Sequence, residues 1–235
     1  MLRLAVLISG RGSNLQSLIA YTAQDTVPAM IVKVLADKPA AGLALAEAAG
    51  IETETIDPSL YPDRASFEES LITAIDKAKV DIICLAGFMR VLSPSFCRRY
   101  LGKIINIHPS LLPQYKGLNT HQRALDDGAK QHGCSVHIVT AELDDGPIVA
   151  QHQVAVNTAD DQDRLAARVL AEEHKLYPAV IGAIAAGLIT IRTDQGQLRL
   201  DHRSGAIPGH IPGMEQHMQW PLPTCPFHSE EMAEK

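Results

Sequence analysis

The stretch that decides the fold lies at the N-terminus, where residues 2–23 read LRLAVLI-SGRGSN-LQSLIAYTA. Leu2–Ile8 is an almost continuous apolar run of the length that is typical of a buried strand. Ser13–Ala23 carries leucine and isoleucine at helical spacing, which predicts a helix. The glycine-rich loop Ser9–Asn14 joins the two. This order predicts the first strand–loop–helix unit of an α/β sheet.

The same alternation continues through the first half of the chain. Further strands are predicted at Met30–Ala36, Ile51–Ile56, Val80–Ala86 and Ile104–Ile107, and further helices at Ala40–Ala49 and Arg64–Lys79. Strands that are apolar almost throughout are typical of a parallel sheet covered on both sides. We therefore predict an α/β, Rossmann-like fold, with a mainly parallel twisted sheet and helices on both faces.

The pattern changes in the second half of the chain. Gly133–Val139 alternates apolar and polar residues, and Pro147–Val156 reads as a strand that follows the turn signal Asp144–Pro147. Because these strands are close in sequence, we expect them to pair antiparallel. Asp161–Ala186 predicts a long helix. A terminal hairpin is predicted from Leu188–Arg192 and Gln197–Leu200 around Asp194–Gly196.

We expect one domain over residues 1–200, because no linker and no internal repeat interrupts it. Residues 1–100 would form the nucleotide- or phosphate-binding half, and 101–200 the catalytic half. Residues 201–235 are rich in proline, glycine and histidine and have no periodicity, so they predict a C-terminal tail.

Composition excludes several classes of protein. The chain has 235 residues, of which 46% are hydrophobic and 20% charged, which is ordinary for a globular protein. Its net charge, 21 − 27 = −6, argues against a general nucleic-acid binder. The most apolar segment, Leu176–Ile191, is too short for a membrane span, and the N-terminal apolar run is too short for a signal peptide. We expect a cytoplasmic protein that binds neither nucleic acid nor membranes.

The cysteines and histidines do not predict a metal centre. The four cysteines form no C-x-x-C pair, so neither a zinc ribbon nor a disulfide framework is expected. The tail region does contain residues that can ligate zinc, namely His202, His210, His217, Cys225 and His228. Only the last two are closely spaced, and we expect no metal there.

The loop Ser9–Asn14 is the first candidate site. Its glycines allow the backbone to approach a ligand, and a helix N-terminus attracts anions. The loop is not a Walker A motif, because no Gly-Lys-Ser/Thr follows. It is not a full dinucleotide fingerprint either, because Leu15 stands where the last glycine would be. A small phosphate group is therefore the favoured ligand. The alternative is a plain tight turn with Ser13 as the helix N-cap.

The second candidate is the strand end IINIHPS, residues 104–110. Residues two apart in a strand share a face, so Asn106 and His108 point the same way. Pro109 ends the strand and places His108 near its carboxyl end, where open α/β sheets bind ligands. An amide can donate to an oxyanion, and imidazole can move a proton near neutral pH. A hydrogen-bonded core asparagine and a structural histidine are the alternative.

Two carboxylates complete the candidates. Asp144 lies in the loop Glu142–Pro147, and a carboxylate near a histidine would orient the ring and favour the imidazolium. A turn-forming role is the alternative. Glu173 falls on the apolar stripe of the predicted long helix, where a carboxylate needs a partner. It is expected at the rim or paired with an arginine, or else in contact with the hydroxyls or the amine of a ligand.

Four motifs, in this order, resemble those of the phosphoribosylglycinamide formyltransferase family. They are LISGRGSNLQ at 7–16, LAGFMRVLSP at 85–94, NIHPSLLP at 106–113 and LDDGPI at 143–148. The third motif and the later Asp-x-Gly-Pro are shared by the wider formyltransferase group, whereas the first points to the glycinamide ribonucleotide enzymes. Asp145 is a small departure, because members of the family vary there. The likeness covers residues 1 to about 200.

The resemblance implies transfer of the formyl group of 10-formyltetrahydrofolate to the amine of glycinamide ribonucleotide, in de novo purine (IMP) synthesis. His108 would be the general acid and base, Asn106 the oxyanion donor, and Asp144 the residue that tunes His108. The ribonucleotide would be held by Gly12, Ser13, Asn14 and Glu173. The folate would be held by Arg64, Met89, Arg90, Val91, Leu92, Asn106, Thr140, Ala141, Glu142, Leu143 and Asp144.

The resemblance also implies that the reaction needs no metal, and that residues 101–200 are the folate-binding half. The chain is expected to be a monomer or a weak homodimer whose partners are these two small molecules. Three other functions compete. A formyltetrahydrofolate hydrolase would carry an extra N-terminal domain, and a methionyl-tRNA formyltransferase a basic C-terminal domain. A non-catalytic folate- or nucleotide-binding regulator would not need the Asn106, His108 and Asp144 set.

Overall fold

The computed structural model describes residues 1–194 and 197–202 and the backbone of 218–219. The strands are β1 (Leu2–Ile8), β2 (Ala29–Ala36), β3 (Glu52–Thr55), β4 (Ile82–Leu85), β5 (Ile104–His108), β6 (Gln131–Ile138), β7 (Ile148–Ala155), β8 (Ile189–Asp194), β9 (Gln197–His202) and β10 (Met218–Gln219). The helices are α1 (Ser13–Thr22), α2 (Gly42–Ala48), α3 (Arg64–Ala78), α4 (Pro94–Arg99), α5 (Thr120–Asp126) and α6 (Gln162–Ala185). Every strand and helix of the sequence analysis therefore has a counterpart.

One mixed sheet forms the centre, with its strands in the order β10-β7-β6-β5-β4-β1-β2-β3. The five strands from β3 to β5 in this row are parallel, whereas β6, β7 and β10 add antiparallel pairs. A separate antiparallel hairpin is formed by β8 and β9. The predicted fold class, a mainly parallel sheet extended by antiparallel strands and a long helix, is confirmed.

Alternate residues of β1 enter the two layers of the core. Leu4, Val6 and Ile8 pack with the buried faces of α1 and α6, whereas Ala5 and Leu7 pack with α3 and α4. This alternation follows from the period of two in a strand that is covered on both sides. The central strands therefore read as continuous apolar runs.

Aspartate caps begin the two long helices where the sequence analysis placed them. Asp63 accepts the backbone N–H of Ser66 at 2.8 Å, and Asp161 accepts that of Arg164 at the same distance. Such caps satisfy amide groups that the first turn leaves without partners. None of the helices in the described part of the chain is long and apolar enough to span a membrane.

The structure adds four elements to the predicted ones: the short helices α4 and α5, a 3-10 helix at Pro58–Leu60, and β10. Residues 201–202 of the predicted tail belong to β9, and residues 218–219 pair with β7. The hairpin turn at 195–196 and the rest of the predicted tail, with His210, His217, Cys225 and His228, lie outside the described residues.

Candidate active site

Strand β5 presents two polar side chains on one face. Asn106 is half-buried and His108 is 6% exposed, while the alternating residues Ile105 and Ile107 pack into the core on the other face. Pro109 follows the last residue of the strand. The strand therefore delivers an amide and an imidazole to the carboxyl end of the parallel sheet, as the sequence analysis expected.

Both ring nitrogens of His108 face oxygen atoms. Its Nε2 lies 3.0 Å from the backbone oxygen of Tyr115, and its Nδ1 lies 3.6 Å from Oδ2 of Asp144. A carbonyl oxygen only accepts, so the Nε2 proton points at Tyr115. The charged form of His108 thus has an acceptor oxygen in front of each of its two N–H groups.

Asp144 reaches the histidine because the chain turns sharply after β6. Its backbone is left-handed, with φ at 50°, and its Oδ2 accepts the N–H of Gly117 at 2.9 Å. Gly146 follows two residues later, and a Cβ there would lie 1.8 Å from the backbone oxygen of Ile138. Only glycine therefore lets the loop pass this close to the end of β6. These constraints bring Asp144 and His108 together although they are far apart in sequence.

His137 is the main residue of this site that the sequence analysis missed. Its Nε2 lies 3.2 Å from Nδ2 of Asn106 and 3.6 Å from Oδ1 of Asp144, and its Nδ1 lies 3.1 Å from the oxygen of Ile138. Burial lowers the pKa of His137 to about 4, so the ring is neutral at neutral pH. With its proton on Nδ1, it accepts from Asn106 and orients the amide. The polar position of His137 on its strand was visible, but its pairing with Asn106 across β5 and β6 was not.

The glycine-rich loop Ser9–Asn14 forms a second part of the candidate site. Gly12 is left-handed, with φ at 77°, and stands at the start of α1, so Gly12 rather than Ser13 occupies the N-cap position. A Cβ on Gly12 would lie 2.8 Å from Cα of Gly42 in α2. The hydroxyl of Ser9 accepts the N–H of Met89 at 2.9 Å and ties this loop to residues 87–92.

The carboxylate of Glu173 contacts this loop from α6. Oε2 of Glu173 accepts a hydrogen bond from Nδ2 of Asn14 at 2.7 Å, and Glu173 is only 6% exposed. Burial raises the pKa of Glu173 to about 7, and the hydrogen bond from Asn14 only partly opposes this rise. Oδ1 of Asn14 is buried and has no hydrogen-bond partner in the part of the chain that the structure describes. The structure therefore brings Gly12, Ser13, Asn14 and Glu173 together and leaves one buried acceptor open.

A cleft of about 640 Å³ lies beside the first loop, which is within the range of small-molecule sites. Its walls include Arg64, Phe67, Arg90 and Glu68, together with the exposed residues Met89 and Val91 and the buried Leu92. Arg90 lies 2.9 Å from Asp37, and Arg64 bonds to the oxygen of Val91. The cleft thus combines apolar surface with fixed guanidinium groups.

The expected folate residues fall into two groups. Arg64 and residues 89–92 line the cleft, whereas Thr140, Ala141, Glu142 and Leu143 belong to the loop that ends at Asp144 and do not line it. Leu143 is 53% exposed. Within the described ranges, no group of three or more histidine, cysteine, aspartate or glutamate residues could hold a metal ion. Cys84, Cys97 and Cys134 are free and buried.

The chain matches the Formyl transferase family over residues 2–181, which is most of its length. It is 43% identical to the phosphoribosylglycinamide formyltransferase of Escherichia coli over 198 residues, which are 84% of this chain and 93% of that protein. It is also 45% identical to the human trifunctional purine biosynthetic protein adenosine-3 over 190 residues, 80% of this chain and 19% of that longer protein.

Solved structures agree with the sequence relatives. The phosphoribosylglycinamide formyltransferase of Brucella melitensis is 50% identical, with a TM-score of 0.75 over 80% of this chain and 97% of that one. Glycinamide ribonucleotide transformylase 1 of Symbiobacterium toebii gives a TM-score of 0.79 at 39% identity, over 85% of this chain and 94% of that one. The chain therefore belongs to the formyl transferase family and, within it, to the phosphoribosylglycinamide formyltransferases.

Proposed function

We propose that this enzyme transfers the formyl group of 10-formyltetrahydrofolate to the amine of glycinamide ribonucleotide, giving formylglycinamide ribonucleotide and tetrahydrofolate. The observation that carries the proposal is the position of His108 between Asp144 and the Tyr115 oxygen, with Asn106 beside it on β5. Binding alone would not need a proton-moving pair of this kind at the end of the sheet. Membership of the family supports the same reaction.

The residues suit each step of that reaction. The lone pair of the amine forms a bond to the formyl carbon, and the carbonyl electrons move onto its oxygen. Asn106 would donate to this oxyanion, and so would the Nδ1–H of protonated His108, because its distance of 3.6 Å to Asp144 is too long for a hydrogen bond. The carbonyl then re-forms as the bond from the formyl carbon to the folate nitrogen breaks. His108 would give its proton to that nitrogen and, once neutral, take up the proton that the amine loses. Asp144 would hold the imidazole in place and stabilise its charge.

The two remaining regions suit the two substrates. The ribonucleotide phosphate would lie against Gly12, Ser13 and Asn14 at the N-terminus of α1. Glu173 and the open acceptor of Asn14 would then face its sugar or its amine end. The folate would occupy the cleft of Arg64 and residues 89–92 and extend along residues 140–144 toward His108. Because Ser9 links the two regions, the reacting ends of the substrates would meet near β5.

The proposal predicts that His108→Ala and Asp144→Ala each lower turnover roughly a hundredfold or more, while ligand affinity stays nearly unchanged. The measurement is release of tetrahydrofolate by purified protein, with binding of each substrate followed separately. Asp145→Ala is a matched control, because Asp145 is the adjacent carboxylate but is exposed and pairs with Lys116. Full turnover in the His108 or Asp144 variant would refute the roles given to them.

The same assay separates the competing functions. Release of tetrahydrofolate that requires glycinamide ribonucleotide is the expected result. Equal release without the ribonucleotide would mean that water is the acceptor, as in a hydrolase. Folate binding without any release would mean a non-catalytic regulator.

A further inference from the structure

A row of polar residues crosses the sheet directly behind His108. His108 on β5 is the register partner of Ser135 on β6, and Ser135 is the partner of Gln151 on β7. Register partners on adjacent strands lie side by side on one face of a sheet. Ser135 is fully buried and Gln151 half-buried, and neither has a role in the chemistry proposed above.

The hydroxyl of Ser135 uses all of its hydrogen-bonding capacity. It donates to the oxygen of Ser110 at 2.6 Å and accepts from the N–H of Leu112 at 3.0 Å and from Nε2 of Gln151 at 2.8 Å. One donor and two acceptors are what a hydroxyl offers. The same Nε2 of Gln151 also donates to the oxygen of Leu112 at 2.9 Å. The N–H of Leu112 is therefore bound by Ser135 of β6, and its carbonyl oxygen by Gln151 of β7.

This clamp fixes the chain segment that turns back onto His108. Ser110 adds a bond from its own hydroxyl to the oxygen of Gln114 at 2.6 Å. The next residue, Tyr115, is left-handed, with φ at 55°, and its oxygen is the acceptor 3.0 Å from Nε2 of His108. The position of that oxygen thus depends on Leu112 and Gln114, and Leu112 depends on Gln151.

We propose that Gln151 is a positioning residue for His108: its two N–H groups hold the loop 109–115 so that the Tyr115 carbonyl fixes the orientation of the imidazole. The proposal rests on the function proposed above, in which His108 moves the proton. Strand β10 strengthens the arrangement, because it pairs with β7 at Gln151 itself and places another strand outside it. Gln151 therefore acts through the loop and does not touch the reacting atoms.

The test replaces Gln151 by methionine, which has a similar length but no N–H donor. We expect Gln151→Met to lower kcat roughly ten- to hundredfold, because a small displacement of a catalytic group has effects of this size. We expect the KM of each substrate to change by about twofold or less, because the interaction matters in the transition state rather than in binding. Gln153→Met is the matched control, since it changes the same residue type on the same strand.

Two further measurements exclude a merely structural effect. In ¹⁵N-histidine spectra, the Nε2 signal of His108 should move in Gln151→Met and stay in place in Gln153→Met. Ser135→Ala combined with Gln151→Met should cost less than the sum of the two single changes, because both residues serve one network.

An unchanged kcat in Gln151→Met would overturn the positioning role, and so would a lower kcat with an unmoved His108 signal. A wild-type protein that transfers no formyl group would instead refute the proposed function. The His108 spectra of the wild type and the two methionine variants would then still decide whether Gln151 positions the ring.

Discussion

Glu173 shows how one buried carboxyl group can link stability to ligand binding. It lies on α6 with Asn14 as its hydrogen-bond partner, and its pKa of about 7 comes from burial. A buried carboxyl group that is protonated near neutral pH can donate a hydrogen bond, whereas the ionised form only accepts. The part of the site that we propose holds the ribonucleotide therefore changes its hydrogen-bonding character in the neutral pH range.

The pKa of Glu173 predicts a pH-dependent stability. The unfolded chain loses this proton near pH 4.5, whereas the folded protein keeps it until about pH 7. The folded state binds more protons between these values, so this residue makes the free energy of unfolding fall as pH rises through the window. The fall is on the order of 3 kcal/mol when the window has been crossed. Glu173→Gln, which cannot ionise, should therefore become more stable than the wild type as pH rises from about 5 to 8.

Urea unfolding of the ligand-free protein at several pH values measures this difference. Glu69→Gln, on the exposed face of α3, controls for the loss of one formal charge. A constant difference between Glu173→Gln and the wild type across this pH range would contradict the raised pKa.

At the scale of an element, the loop between β1 and α1 depends on two glycines for its shape. Its shape requires a left-handed residue at Gly12 and a contact with Gly42 that leaves no room for a side chain. The amide groups at the start of α1, which we propose bind the phosphate, keep their direction only while this backbone is kept.

Gly12→Val should raise the KM for glycinamide ribonucleotide roughly tenfold or more, because a left-handed conformation strains valine by about 1–3 kcal/mol and its Cβ would displace α2. The KM for the folate should change far less. Steady-state kinetics with each substrate varied in turn measures both. Gly50→Val is the control, since Gly50 is also left-handed, with φ at 71°, but lies outside this loop and a Cβ there meets nothing within 4 Å. Equal effects on both KM values would mean that the loop does not read the phosphate alone.

The elements that the sequence did and did not predict differ in length and in the origin of their order. Strand β1 and helix α6 carry strong periodic patterns, so their existence could be predicted. Helices α4 and α5 have six and seven residues and contain few apolar ones, so no apolar stripe distinguishes them from a loop, whereas α2, which is equally short, consists mostly of alanine and leucine. Strand β10 has two residues and is defined only by its pairing with β7. Pairing between distant segments leaves no local signal in a single sequence.

At the scale of the whole molecule, helix α6 contacts several neighbouring strands of the central sheet. Tyr177 on this helix is fully buried, and its hydroxyl lies 3.1 Å from the oxygen of Leu85 in β4 and 3.0 Å from that of Ile105 in β5. One side chain thus spans two neighbouring parallel strands at the centre of the fold. The same helix carries Glu173, so the packing of the core also positions the site.

Tyr177→Phe should lower the free energy of unfolding by about 0.5–1.5 kcal/mol, because it removes a buried hydroxyl that donates to a backbone carbonyl of the sheet. Chemical denaturation measures this, and the dependence on denaturant should stay the same because the surface exposed on unfolding does not change. Tyr61→Phe is the control, because the ring of Tyr61 is half-buried and packs edge-on against Phe67. It should change the free energy of unfolding by less than about 0.5 kcal/mol. A similar loss in both variants would mean that the Tyr177 hydroxyl contributes nothing specific.

Some residues of the candidate site could be predicted from the local sequence, and others depend on contacts between distant segments. Asn106 and His108 could be placed on one face of β5 because two-residue spacing in a strand is local. For Glu173, the sequence left open a rim position, an arginine partner or a ligand contact, and the structure gives a buried partner, Asn14. His137 and Gln151 were not singled out, because their importance comes from register across β5, β6 and β7.

The hydrogen bond between Asn14 and Glu173 joins residues that are 159 positions apart. A ribosome adds about 5–20 residues each second, so roughly 8–30 seconds separate the synthesis of the first loop from that of its partner. His108, Ser135 and Gln151 are all made within that interval. The residues of the proposed proton-moving end are therefore all synthesised before Glu173 completes the proposed nucleotide-binding end.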